Sequence, residues 1–167
     1  MRWMLVLLAA CSNAADPVGD APVRPIDASA DAPSIDAPVA LKILAVNEVA
    51  AGETPDWIEV VNVSNSPVQL DQFLYCDIAN DFAKARPFPA MTLQPGAYYT
   101  QDIDDTISGF KLASDEEIWI YRASDHALSD SVDWAEGAAP TGMSYARKPD
   151  KTGAFATGAQ SKGTANP

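Results

Sequence analysis

The fold of this chain is decided by residues 47–70, which read NEVAAGETPDWIEVVNVSNSPVQL. Gly52 and Pro55 interrupt the first apolar run, so a loop is expected there. In residues 56–62 the side chains alternate, which places Trp57, Glu59 and Val61 on one face and Ile58, Val60 and Asn62 on the other. The cluster 64–67, Ser-Asn-Ser-Pro, has the local hydrogen-bonding groups of a turn. The stretch therefore predicts two short strands separated by loops, with Trp57 and Ile58 in the core and Glu59 either exposed or bonded to buried backbone.

The rest of the chain continues this pattern of short extended segments. Predicted strands cover residues 41–49, 57–63, 68–70, 73–78, 97–102, 118–122, 129–134 and about 143–147. No segment of a dozen residues repeats apolar positions every three or four residues without a Pro or Gly break. The class is therefore all-β.

The ordered motifs resemble those of a lamin-tail domain. They begin with the stretch above and continue through 86–89, 93–98, 110–121, 130–134, 144–150 and the closing Gly-Thr-Ala-Asn-Pro of 163–167. This resemblance covers about 120 residues and implies an immunoglobulin-like β-sandwich over 41–167 that serves as a binding module. Segment 76–84 departs from it, because such domains often carry a Gly-rich turn there. The resemblance does not name a ligand.

The amino end predicts a lipid anchor. Arg2 precedes an apolar run, and Leu8-Ala9-Ala10-Cys11 matches a bacterial lipobox, in which Cys11 becomes the acylated first residue after cleavage. Residues 1–11 are thus interpreted as a lipoprotein signal peptide. Eight apolar residues are too few for a membrane span, which needs roughly 20. The expected location is the cell envelope, and Ser12 after the cysteine favours the outer membrane.

Residues 12–40 predict a disordered linker rich in Asp, Ala and Pro. The segment holds five Asp against one Arg, for a net charge of −4, and almost no large apolar residue. It cannot bury enough apolar surface to offset its chain entropy. Repulsion between its Asp side chains, together with the stiffness of Pro, should extend it. The domain plan is therefore an anchor at 1–11, a spacer at 12–40 and a folded head at 41–167.

Catalysis is not expected from the residues present. The single histidine, His126, falls in a predicted hairpin loop without a positioned nucleophile. Phosphate-binding Gly loops, metalloprotease His pairs and Cys-x-x-Cys motifs do not occur in the sequence, so no cofactor is expected. With Cys11 acylated, Cys76 has no intrachain partner; it is either a free thiol or a small buried apolar residue.

Charge narrows the ligands that the head could bind. The head carries 18 acidic and nine basic residues, net −9, so nucleic acid is an unlikely partner. Asp102, Asp104 and Asp105 are weak calcium candidates, since Ca²⁺ prefers carboxylate oxygens, but their spacing is not that of an EF-hand loop. The alternative for these acids is a solvated acidic face.

Two further groups of residues could bind a ligand. The basic residues near the end could contact anionic glycans or lipid head groups: Arg147, Lys148, Lys151 and Lys162. Several rings could form a sugar platform: Tyr98, Tyr99, Trp119, Tyr121 and Trp134. The leading prediction is a non-enzymatic, envelope-anchored module for protein interaction, adhesion or scaffolding, and the alternative is a carbohydrate or cell-wall binder. An open edge strand would favour the first, and a face of exposed rings the second.

Overall fold

The computed structural model describes residues 40–167, and the predicted lipobox with Cys11 and nearly all of the predicted linker lie outside the described residues. The described part is an immunoglobulin-like β-sandwich, as predicted. Sheet I has five strands in the order β11-β10-β1-β2-β7, and sheet II has four in the order β5-β4-β8-β9. A two-stranded ribbon joins β3 to β6. Neighbouring strands are antiparallel, so β7 and β11 form the two edges of sheet I.

The strand bounds are as follows. The strands are β1 Leu44–Ala50, β2 Asp56–Asn62, β3 Val68–Gln69, β4 Phe73–Cys76, β5 Arg86–Pro87, β6 Thr92–Leu93, β7 Tyr98–Ile103, β8 Glu116–Arg122, β9 Leu128–Trp134, β10 Met143–Lys148 and β11 Ala154–Ala159. One turn of 3-10 helix, Leu70–Gln72, links β3 to β4. No helix among residues 40–167 is long and apolar enough to cross a membrane.

Each predicted strand overlaps an observed one, with two corrections. The first strand begins at Leu44 rather than residue 41, because Lys42 has a φ of 46° and leaves the extended region. Residues 41 and 42 instead donate their backbone N–H groups to the carbonyl groups of Leu128 and Ser129 in β9. The sequence analysis also missed three strands. β5 and β6 have only two residues each, and β11, with the sequence AFATGA, has no apolar–polar alternation and is extended because it pairs along its length with β10.

The core lies between the two sheets and contains Ile58 and Val60, both fully buried. Trp57 is also buried, at 3 % exposure, but it lies on the outer face of sheet I and not in the core cluster. The ammonium of Lys162, from the C-terminal segment, lies 5.3 Å from its ring centroid. Both residues are therefore buried as predicted, but only Ile58 lies in the cluster between the sheets; Trp57 is buried on the other side of β2, which is covered on both faces.

A β-bulge in β1 directs polar side chains to the outer face of sheet I, where Trp57 is buried. The β1–β2 register shifts between Val46 and Glu48, so one extra residue, Asn47, is inserted. Val46 and Val49 both belong to the core cluster, and the two polar residues between them engage polar partners outside it. The bulge therefore places adjacent Asn and Glu side chains next to Glu59 of β2, which pairs with Glu48.

Segment 76–84, at which the predicted resemblance departs, folds over the outer face of sheet II after the end of β4. The backbone N–H groups of Ala79 and Asn80 donate to the side chains of Glu117 and Tyr121. The ring of Phe82 packs edge-on against Tyr121, with centroids 5.0 Å apart. This segment therefore buries part of the face on which an aromatic platform could have formed.

Candidate functional site

A polar cluster under the C-terminal segment 160–167 is the most concentrated set of ionisable groups in the described head. Glu48 and Glu59 are fully buried cross-strand neighbours. Asn47 links this pair to Asp150 of the β10–β11 turn, because its Nδ2 donates to Glu59 Oε1 at 2.9 Å and to Asp150 Oδ1 at 3.0 Å. Three carboxyl groups thus meet on one face of sheet I.

The C-terminal segment supplies hydrogen-bond donors to all three carboxyl groups. Ser161 donates its backbone N–H to Glu48 Oε1 at 2.9 Å and its hydroxyl to Oε2 at 2.8 Å. The N–H of Gly163 donates to Glu59 Oε2 at 2.6 Å, and that of Asn166 to Asp150 Oδ1 at 3.1 Å. The carboxyl groups therefore hold the last eight residues against the sheet.

Side chains of the sheet complete the cluster. The Ser144 hydroxyl donates to Glu48 Oε1 and the Tyr98 hydroxyl to Asp150 Oδ2, both at 2.5 Å. Each of the six carboxyl oxygens therefore accepts at least one hydrogen bond within the fold. Buried polar groups satisfied in this way stabilise one conformation of the cluster.

The cluster shifts the pKa values of Glu59 and Asp150 in opposite directions. Burial raises the pKa of Glu59 to about 7, against hydrogen bonds from Asn47 and Gly163, and the charges of Glu48 and Asp150 raise it further. For Asp150, burial acts to raise the pKa, but hydrogen bonds from its neighbours outweigh it and the net shift is downward. Glu59 can therefore change its protonation near neutral pH.

The calcium candidates do not share one ligand shell. Asp102 Oδ1 lies 2.8 Å from the ammonium of Lys162, and Asp105 Oδ2 lies 3.3 Å from that of Lys111. Asp104 Oδ1 accepts hydrogen bonds from the backbone N–H groups of Thr106 and Ile107 in its own loop. Within residues 40–167, no three acidic, His or Cys side chains are grouped so that they could hold a metal ion.

The predicted sugar-platform rings are divided between the two sheets. Trp134 and Tyr121 are buried at 2 % and 3 % exposure. Tyr99 packs against Phe88 at the core, whereas Tyr98 points to the outer face of sheet I, so these neighbours do face opposite ways. Half-buried Trp119 stacks on Tyr121 in sheet II, with ring centroids 6.2 Å apart. The five rings therefore do not form one exposed surface.

The four basic residues near the end are also dispersed. Arg147 lies inside the sandwich, where its guanidinium donates to Asp130 Oδ2 at 2.7 Å. Lys151 donates to the Gly96 carbonyl and covers the ring of Tyr98, and Lys162 pairs with an aspartate of β7. Lys148 makes no ion pair with the described residues. The geometry supplies no shared basic patch for an anionic polymer.

His126 and Cys76 occupy structural positions. The His126 ring stacks on Phe82 with centroids 3.8 Å apart, in the β8–β9 turn, and no described hydroxyl or thiol bonds to it. Cys76 is fully buried and forms no disulfide with a described residue, which agrees with its prediction as a small apolar side chain. Burial raises the pKa of its thiol to about 11, so the reactive thiolate is suppressed.

The open edge of sheet I is the feature that sequence reasoning missed. β11 pairs with β10 on one side, and no described backbone group pairs with it on the other. Its six residues include no charged residue and no Pro, the devices that usually protect an edge. The signal available was the neutral, extended run 154–159 after a turn with Pro149 and Gly153.

The other edges are better protected. β7 carries Asp102, whose carbonyl accepts a hydrogen bond from the Gln101 side chain at 2.9 Å. β9 is partly covered by the backbone of residues 41 and 42, and β5 has only two residues. Among the described strands, β11 therefore offers the longest uncharged row of backbone donors and acceptors.

Comparison of the chain with protein-family models, with curated proteins and with solved structures gave no match.

Proposed function

We propose that this protein is a non-catalytic, envelope-anchored lipoprotein whose lamin-tail-like head binds protein partners by strand addition at β11. The open, uncharged edge is the observation that carries this proposal. An extended partner segment placed along such an edge gains main-chain hydrogen bonds, while the side chains next to the edge provide selectivity. Adhesion and scaffolding are both outcomes of binding of this kind.

The buried polar cluster supports a non-catalytic role. Its carboxyl groups are engaged with the C-terminal segment, and the single histidine stacks on a phenylalanine. A hydrolytic site instead needs a nucleophile, a base and an orienting group within hydrogen-bond reach. The carbohydrate alternative needs exposed rings on one face, and the dispersal of the described rings gives it no such support.

Anchoring through Cys11 is the second part of the proposal. An acylated Cys11 would hold the chain at the membrane, and the acidic linker would set the head at a distance from it. Intact-mass analysis of the membrane-extracted protein should find a mature species that starts at an acylated Cys11. A Cys11→Ala variant should move to the soluble fraction, and an unmodified chain that stays in the membrane would refute the anchor.

Site-specific photo-crosslinking tests the binding edge. A photoreactive residue at Ala156, on β11 of sheet I, should give a protein adduct in envelope preparations, and the same residue at exposed Ala83, in segment 76–84 over sheet II, should not. Equal adducts at both positions, or none at Ala156, would contradict binding at β11.

Proline substitutions then separate strand addition from surface contact. Successive N–H groups of a strand point to opposite sides, so Ala156→Pro and Thr157→Pro remove one N–H that faces β10 and one that faces the open side. With the photoreactive residue moved to exposed Ala154 of β11, the variant that loses the open N–H should remain folded and lose the adduct. Thr157→Pro also removes the hydroxyl that donates to the Ala138 carbonyl at 2.7 Å, so its melting temperature should fall slightly. Retention of the adduct in that folded variant would exclude main-chain pairing.

A further inference from the structure

We propose that the partner of the β11 edge is β11 of a second copy of this chain, so that two heads share one continuous ten-stranded sheet. The inference rests on the proposed function, since it names the occupant of the same edge. A two-fold axis normal to sheet I turns β11 into its own antiparallel partner, which gives a closed, isologous interface.

The side chains of β11 suit this pairing. Alternation along the strand places Phe155, Thr157 and Ala159 on the inner face, where Phe155 packs against the core. Opposed residues in an antiparallel pair share a face, so the axis passes through a residue. Pairing along the full length of the strand places it at one of the two central residues, Ala156 or Thr157. With the axis at Thr157, whose hydroxyl donates to the Ala138 carbonyl at 2.7 Å, this residue lies opposite its own copy through its methyl group, and the large Phe155 ring faces the small Ala159 side chain. Such cross-strand pairs are favourable.

Charge also distinguishes β11 from other edges for self-pairing. β11 brings no like charges into direct opposition, because its residues are Ala, Phe, Thr and Gly. Each copy also presents a strand already ordered by β10, so pairing does not carry the ordering cost of a free peptide. A preformed, neutral strand is therefore the occupant that the edge fits best.

The contact should be weak in solution and stronger on a membrane. A six-residue strand pair is smaller than the roughly 800 Å² per partner of standard interfaces. Anchored chains are confined to one surface, which raises their effective concentration. The two heads, each of net charge −9, repel one another, and Lys148 lies beside Gly158 near the axis. Added salt should therefore strengthen the pairing, because it screens both repulsions.

Disulfide trapping in the full chain tests the inference. A Cys11→Ser background leaves buried Cys76 as the remaining native thiol. Thr157→Cys and Ala156→Cys place a thiol at the two possible axes, where paired Cα atoms lie within disulfide range. Under mild oxidation, one of the two should give about tenfold more linked dimer than the exposed control Ala83→Cys.

Sedimentation in rising sodium chloride supplies the second measurement. The Cys11→Ser chain should show more dimer at high salt, and the proline variant that removes the open N–H should show none while it still unfolds cooperatively. Linking no greater than that of the control at both axes, or a monomer at every salt concentration, would overturn self-pairing.

The test also separates this inference from the proposed function. If trapping fails while the photoreactive group at Ala156 still captures a different protein, the second copy is excluded and strand addition stands. If deletion of residues 12–40 is needed before trapping succeeds, the linker itself occupies β11, and the inference is overturned. Failure of trapping together with loss of every adduct at Ala156 refutes both.

Discussion

Replacing Glu59 with Gln should remove a pH dependence of stability that the buried cluster creates. The folded pKa of about 7 lies above the ordinary value of 4.5, because burial disfavours the charged form. The folded protein thus holds this proton more tightly than the unfolded chain does. The stabilisation is complete below about pH 4.5 and is lost as the pH rises through 7. The gap between the two pKa values corresponds to about 3 kcal/mol.

The Gln side chain keeps one acceptor oxygen but cannot accept from both Asn47 and Gly163. This loss costs about 1–3 kcal/mol, and the cost does not depend on pH. The informative quantity is therefore the difference in unfolding free energy between the wild type and Glu59→Gln, measured by urea unfolding at several pH values. This difference should change by about 3 kcal/mol, in favour of the variant, between pH 4.5 and values above 7.

Asp133→Asn, at an exposed carboxyl group on β9, is the matched control and should show no such change. The comparison removes contributions shared by both proteins, including that of Glu116, whose pKa is also raised by burial. A wild-type and Glu59→Gln difference that stays constant across this pH range would show that Glu59 does not titrate as the cluster geometry requires.

Three more outcomes follow from the same contacts. Asp130→Ala should lower the unfolding free energy by about 3 kcal/mol in urea titrations, because Arg147 is left charged and largely buried without its partner. A loss below about 1 kcal/mol, as expected for an exposed ion pair, would contradict this. Deletion of residues 161–167 should lower the melting temperature and raise the solvent accessibility of Trp57 in fluorescence quenching, and an unchanged Trp signal would show that the segment does not cover β2. Millimolar calcium chloride should leave the melting temperature within about 1 °C of its original value, whereas a clear rise would reveal a cation site among the acidic loops.

Local patterning predicted most of the strands because their signals are local. The alternation in 56–62 and the Ser-Asn-Ser-Pro turn specify extended backbone and a reversal without help from distant residues. In the structure, Asn62 Oδ1 indeed accepts the N–H of Ser64 inside that turn, at 3.0 Å. β11 lacks such a pattern and becomes a strand because β10 offers hydrogen-bonding groups along its whole length.

The candidate site depended on distant residues and could not be predicted in the same way. Glu48 and Glu59 look like surface residues of half-buried strands, since an acidic residue is rarely buried without a partner. Their burial is decided by Ser161 and Gly163, about a hundred positions away, which donate hydrogen bonds to them. Nothing local to either glutamate encodes that covering segment.

By itself, the sequence determined the all-β class, the strand positions that alternate and the acidity of the head, and its Leu-Ala-Ala-Cys motif is the basis on which an anchor at Cys11 is proposed. Only the tertiary structure decided which face of each strand is covered, which carboxyl groups share a proton-sensitive cluster and which edge stays open. The physical reason is the different distance along the chain over which these effects act. Backbone preference and side-chain alternation act over a few residues, whereas burial, pKa shifts and edge exposure depend on chain segments that meet only after folding.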